Sequence, residues 1–226
     1  MKMAVTEMKK GLKEPGSAIT HLFGVLGALV GAAPLLLRAS KQSWVHVVGM
    51  AAFLMGLLLL YSASTIYHSI DGGPELNHRL KKFDHMMIYM LIAGTYTPVC
   101  LIALNGTVGT VLLVIIWSMA LFGIFQALFW VNCPKWVSSV IYIAMGWTCV
   151  LAFSKIIAAL PAGAFGWLLA GGIIYTVGGV IYALKLSIFN SRHRNFGSHE
   201  VFHLFCLGGS FCHYVVMYQY LANMPI

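Results

Sequence analysis

Four short stretches hold nearly all the side chains able to act as acid, base or metal ligand. They are Ser64-Thr65-Ile66-Tyr67-His68, the pair Asp84-His85, the stretch His199-Glu200-Val201-Phe202-His203, and His21 with Glu14 ahead of it. His199 and His203 stand at i, i+4, so a helix carries them on one face a turn apart and both imidazoles can reach one ion. Ser64 and His68 share that spacing, which sets a hydroxyl one turn from a third imidazole. Three histidines from two helices, with one position left open, form a ligand set of catalytic zinc sites, and Asp84 is then a candidate to sit beside a metal-bound water. The same histidines have a plainer role open to them, because imidazoles near helix ends also bond to carbonyls and lipid headgroups, and HxxxH pairs arise by chance. His21 is a candidate outer partner or a cap. His213 lies about 15 Å further along the helix of His203, too far to share its ion. Adjacency to Asp84 turns His85 about 100° away from it. His46, His78 and His193 read as interface or loop residues, and Glu200, turned from the HxxxH face, as a partner for a headgroup or an arginine.

The elements that must position these groups are membrane helices. Of 226 residues 60% are hydrophobic and 9% charged, against roughly a quarter charged in a soluble domain. Apolar runs long enough to cross a hydrocarbon core of about 30 Å recur along the chain. Seven spans are expected, near Ser17–Leu37, Trp44–His68, Phe83–Leu104, Val108–Trp130, Trp136–Ser154, Gly163–Leu184 and His199–Leu221. The fold expected is an all-α membrane protein in a single seven-helix domain, since a bilayer-spanning chain must satisfy its backbone polar groups within each segment. Pro34 and Pro98 fall inside spans and are expected to kink or interrupt them. The glycines of the first, sixth and seventh spans are expected to serve close packing within the chain more than a dimer interface.

Charge placement sets the orientation. Lys2, Lys9, Lys10, Lys13, Arg79, Lys81, Lys82, Lys135, Lys185, Arg192 and Arg194 fall on one side, eleven in all, while Arg38, Lys41 and Lys155 make three on the other. The N-terminus is therefore expected in the cytoplasm and the C-terminus outside, and the first apolar run is read as a span, not a cleaved signal. His68, Asp84, His199 and His203, from three distant stretches, then share the cytoplasmic end. Ionisable groups are costly inside a membrane, which gives that coincidence weight. The net charge of +8 is dispersed over short loops, which argues against nucleic acid as a partner. Five cysteines without CxxC spacing read as packing residues. There is no internal repeat.

Five stretches carry a family resemblance: EPGSAITHLFG from Glu14, STIYH from Ser64, FDHMMIY from Phe83, AGTYTP from Ala93 and HEVFHLFCLGGSFCH from His199. With these the chain resembles the haemolysin III family, within the larger group of progestin and adipoQ (adiponectin) receptors, related to alkaline ceramidases. The resemblance implies seven helices with the N-terminus in the cytoplasm, a bacterial plasma membrane as the location, and zinc held by His68, His199 and His203. It also implies Asp84 at the zinc-bound water and Ser64 close by. Ser17 departs from the pattern, in which many relatives have Asn, and this leaves the role of the first helix's entrance open.

Two functions are weighed. One is membrane lipid homeostasis or lipid sensing, with zinc in place and a fatty acid or lipid as ligand. The alternative is zinc-dependent hydrolysis of a lipid amide or ester, with Asp84 and Ser64 handling water and proton. A pore-forming cytolysin has little support, because no span carries a repeated polar stripe to line a conducting path.

Overall fold

Chain connectivity in the computed structural model, which describes residues 12–184 and 197–226, follows from how little sequence separates the apolar runs. Lys2, Lys9, Lys10, Lys185, Arg192, His193 and Arg194 lie outside the described residues. The seven helices long and apolar enough to span are α1 (Pro15–Ala39), α2 (Trp44–Ser69), α3 (Pro74–Ala103), α4 (Thr107–Trp130), α5 (Lys135–Ala159), α6 (Ala162–Leu184) and α7 (Ser198–Asn223). Links of a few residues leave α1 to α6 no choice but to run antiparallel to their neighbours. α2 packs between α1 and α3, α3 meets α4, α5 meets α6, and α6 packs along α7. α7 in turn touches α1, so the order closes into a ring.

Helix ends are set by local chemistry. Pro15 opens α1 at its first turn, where a missing N–H costs nothing. Pro74 does the same for α3 after Gly73, whose φ of 89° lies in the left-handed region that glycine enters freely. α3 thereby begins two turns ahead of its apolar stretch and carries the exposed Glu75–Arg79 pair at its start. The Ser43 side chain caps α2 by accepting from the backbone N–H of His46.

The two prolines behave differently. α1 continues through Pro34 without a break in its helical turns. At Pro98 α3 widens into a π-helical turn over Val99–Ala103. α5 tightens into a 3-10 turn over Trp147–Ala152. Tyr96 of α3 meets backbone groups at this change of register, donating its hydroxyl to the Gly146 carbonyl at 2.6 Å and accepting from the Cys149 N–H at 2.9 Å.

Large apolar side chains such as Val30, Phe122, Phe129 and Leu151 face outward, the surface a bilayer covers. Inside, the glycines serve close packing, as expected for part of the set: Gly31, Gly178 and Gly209 lie against Tyr214, Phe205 and Tyr175, whereas Gly27 and Gly172 meet nothing within 4 Å. The five cysteines are free.

Gly94 is the tightest helix crossing between α2 and α3, since a Cβ there would stand 2.6 Å from the Ala52 carbonyl oxygen. Backbone cannot yield as a side-chain tip can. Gly94→Ala is therefore expected to destabilise the bundle by about 1–3 kcal/mol. Gly27→Ala, in open space, is expected to be neutral or slightly stabilising. Thermal unfolding in detergent compares the two, and equal melting temperatures would refute the packing account.

Candidate metal centre

The last turn of α2 carries His68, and the first two turns of α7 carry His199 and His203. Helix pairing brings these ends to the same face, and one ring nitrogen from each of the three lies within 4.8 Å of the others. His68 and His203 are buried, at 1% and 2% exposure. The expectation that these three imidazoles converge therefore holds in the geometry.

Outer hydrogen bonds settle which nitrogen His68 and His203 turn inward. His68 Nδ1 is bonded to the Glu14 carboxylate, which can only accept, so Nδ1 carries the proton and Nε2 keeps its lone pair. His203 Nδ1 faces the Ser17 carbonyl oxygen at 3.2 Å and the Thr20 hydroxyl at 3.2 Å. The Thr20 proton is directed to backbone carbonyls of its own helix, so here too Nδ1 donates and Nε2 is free. His68 Nε2 and His199 Nε2 stand 3.2 Å apart, close to the roughly 3.3 Å that bonds of 2.0–2.1 Å at tetrahedral angles impose on two imidazoles sharing zinc. His199 Nδ1 is buried without a hydrogen-bond partner among the described residues. Three nitrogen donors within 4.8 Å of one another, two of them fixed in the ligating tautomer by a carboxylate and a carbonyl, are a donor set of the kind that zinc takes.

α1 supplies the support. The Glu14 and Lys13 N–H groups donate to the carbonyls of His68 and Ser69 at 2.8 and 3.3 Å. Lys13 Nζ donates to the Tyr67 carbonyl at 3.0 Å and lies over the Tyr67 ring. The Ser17 hydroxyl donates to Glu200 at 2.5 Å, while the other oxygen of Glu200 accepts the Gly197 N–H at 2.7 Å and caps α7. Glu200 thus serves a helix cap and the first helix instead of a headgroup or an arginine, because the α1 entrance packs directly on the start of α7. Ser17, whose departure from the family pattern left this entrance open, is one of its contacts. His21 is buried at 3% exposure and stacks on His203 with ring centroids 3.5 Å apart. Glu14 lies outside the spans, and the hydrogen bond from His68 holds its carboxyl below the usual carboxylate range against an opposing effect of burial.

Thr20 is not marked by the sequence as part of the site, and Glu14 stands there only as the acid ahead of His21, with no link to His68. A signal existed, since Glu14, Ser17, Thr20 and His21 recur every three or four residues at the start of an otherwise apolar helix.

Asp84 and Ser64 are buried and line the same internal cavity as His21, His199 and His203. His85 lines it too, and its Nδ1 lies 3.4 Å from an Asp84 oxygen. Among the other imidazoles, His46 is buried against Ser43 and the Met224 carbonyl, and His78 is exposed. The cavity measures about 190 Å³, well beyond the ~10–15 Å³ that one water needs. Away from the histidines its wall is mostly apolar, with Leu60, Ile88, Val99, Ile156 and Phe165 among the lining residues.

A seven-helix membrane protein with a largely buried three-histidine cluster is the class these observations define. The family model described as haemolysin-III related matches residues 10–214, and the chain belongs to that family. It is 37% identical to the hemolysin-3 homolog of Bacillus subtilis over 215 residues, 94% of this chain and 96% of that one. It is 28% identical to the human monocyte to macrophage differentiation factor over 210 residues, 91% of this chain and 83% of that one. Similarity extends to the adiponectin receptor protein of Drosophila melanogaster, at 24% over 229 residues, 89% of this chain and 49% of that one.

Glu14→Gln keeps an acceptor near His68 but removes the charge. It is expected to weaken metal binding by roughly 10–100-fold, measured by competition with a chelator. Unchanged affinity would show that the carboxylate has no hold on the site.

Proposed function

We propose that this protein acts in membrane lipid homeostasis by binding a long-chain lipid, whose polar end sits at a zinc ion held by His68, His199 and His203 and whose chain occupies the cavity. The observation that carries this reading is the continuity of one cavity from the histidines to a mainly apolar interior. Such a space favours an acyl chain over a small hydrophilic solute. A bacterial plasma membrane with the N-terminus in the cytoplasm is part of the proposal, supported by the eleven-to-three division of basic residues.

A zinc ion in this setting supplies Lewis acidity toward a carbonyl oxygen and lowers the pKa of water. His68 and His203 would hold it through Nε2, oriented by Glu14 and the Ser17 carbonyl. Ser64 and Asp84, on the cavity wall, would meet the ligand's polar end.

A second reading, hydrolysis of a lipid amide or ester, is favoured by one feature: the Asp84 carboxylate is buried on the wall of the cavity that His199 and His203 line. In that reaction water adds to the carbonyl carbon, Asp84 takes the proton water gives up, and the amine or alcohol leaves with a proton as the carbonyl re-forms. Ser64 would orient the carbonyl or the water.

Elemental analysis tests the common ground. Wild-type protein purified without chelator is expected to hold one zinc per chain and His203→Ala to lose it; a metal-free wild type would sink both readings. Turnover separates them. On a ceramide-like amide or an acyl ester, Asp84→Asn is expected to lose about 10²–10⁴-fold if the protein is a hydrolase. Zinc-loaded wild type that binds lipid and turns none over leaves the binding role alone standing.

A further inference from the structure

The cavity does not end at the histidines. His213 also lines it, ten residues beyond His203 on α7 and so about 15 Å along the helix axis, roughly the length of a dozen methylenes. His213 is buried at 7% exposure. Its Nε2 stands 3.2 Å from the Leu168 carbonyl oxygen. A carbonyl only accepts, so Nε2 bears the proton and the neutral ring presents Nδ1 as a bare acceptor. That nitrogen is buried and has no hydrogen-bond partner among the described residues.

The donors around it are already committed. The Tyr61 hydroxyl donates to the Cys206 carbonyl at 3.2 Å, so the 2.6 Å contact between Tyr61 and Ser210 must use the serine's proton. The 2.7 Å contact between Ser210 and Tyr175 then uses the proton of Tyr175. Tyr175, whose ring centroid is 5.4 Å from that of His213, is left with an oxygen that can still accept and nothing more to donate. The remaining polar wall is spent in the same way, since Trp147 Nε1 donates to Thr176 at 2.9 Å and Thr176 to the Gly172 carbonyl at 2.7 Å. This end of the cavity therefore holds acceptors in want of a donor. A saturated hydrocarbon chain cannot provide one, and an unpaired buried acceptor carries the full cost of its lost hydration.

We propose that His213, beside Tyr175, accepts a hydrogen bond from the hydroxyl of a hydroxylated acyl chain, carried about twelve carbons from the polar end that meets the three histidines. The inference rests on the reading that an acyl chain fills this cavity. Three probes of equal length separate the two ideas: octadecanoic acid, 2-hydroxyoctadecanoic acid and 12-hydroxyoctadecanoic acid, titrated into zinc-loaded protein in nanodiscs. Wild type is expected to bind the 12-hydroxy acid on the order of tenfold more tightly than either of the others, and His213→Phe to erase that preference while still binding octadecanoic acid. The comparison of 2-hydroxy with 12-hydroxy acid needs no variant, so it stands even where His213→Phe does not fold. Equal affinity of wild type for all three would overturn the inference and leave the acyl-chain reading intact, as would a preference unchanged in folded His213→Phe. Binding of none of the three would overturn both.

Discussion

An unpaired polar group inside an apolar bundle is expensive, and that cost organises the interior. Most polar side chains there answer it visibly. Tyr96 bonds to backbone groups where α5 changes register, Thr95 and Thr97 return their protons to carbonyls a turn earlier, and Ser210 joins two tyrosines. Against that background the nitrogens of His21, His199 and His213 that have no partner among the described residues stand out, and all three residues line the cavity. The interior is thus divided between polar groups that hold the helices together and polar groups that have no partner among the described residues.

The three-histidine cluster belongs to both kinds. Its inward nitrogens could hold an ion, while the outward nitrogens of His68 and His203 are structural contacts tying α2 and α7 to the entrance of α1. The tie to His68 is made by a charged carboxylate at the edge of the membrane, and the tie to His203 by a backbone carbonyl within it. Orientation of the rings is thereby bound to the docking of the first helix.

Much of this was legible in the sequence, for definite reasons. Spans are visible because a bilayer demands long uninterrupted apolar runs. The three histidines are visible because the HxxxH spacing and the alternation of spans bring His68, His199 and His203 to one end. The contacts of Glu14, Ser17 and Thr20 were less legible, since an acid or hydroxyl before an apolar run looks like an ordinary helix start, and only the packing of α1 on α7 reveals its target. The same packing gives Glu200 a serine and a helix cap in place of the basic or headgroup partner its position suggested. The unequal behaviour of Pro34 and Pro98 could not be read from the prolines alone. The orphaned nitrogen of His213 was likewise invisible, because it depends on where the Leu168 carbonyl falls.

The closure of the ring between α1 and α7 has a consequence for biogenesis. Two of the three imidazoles, and the receptor of the Ser17 proton, lie on the seventh helix, whereas their supports lie on the first. A nascent chain holding six helices in the membrane has Glu14 and His68 in place but nothing to complete the donor set. The set of three imidazoles is thus complete only in a chain whose seventh helix has entered the membrane and met the first.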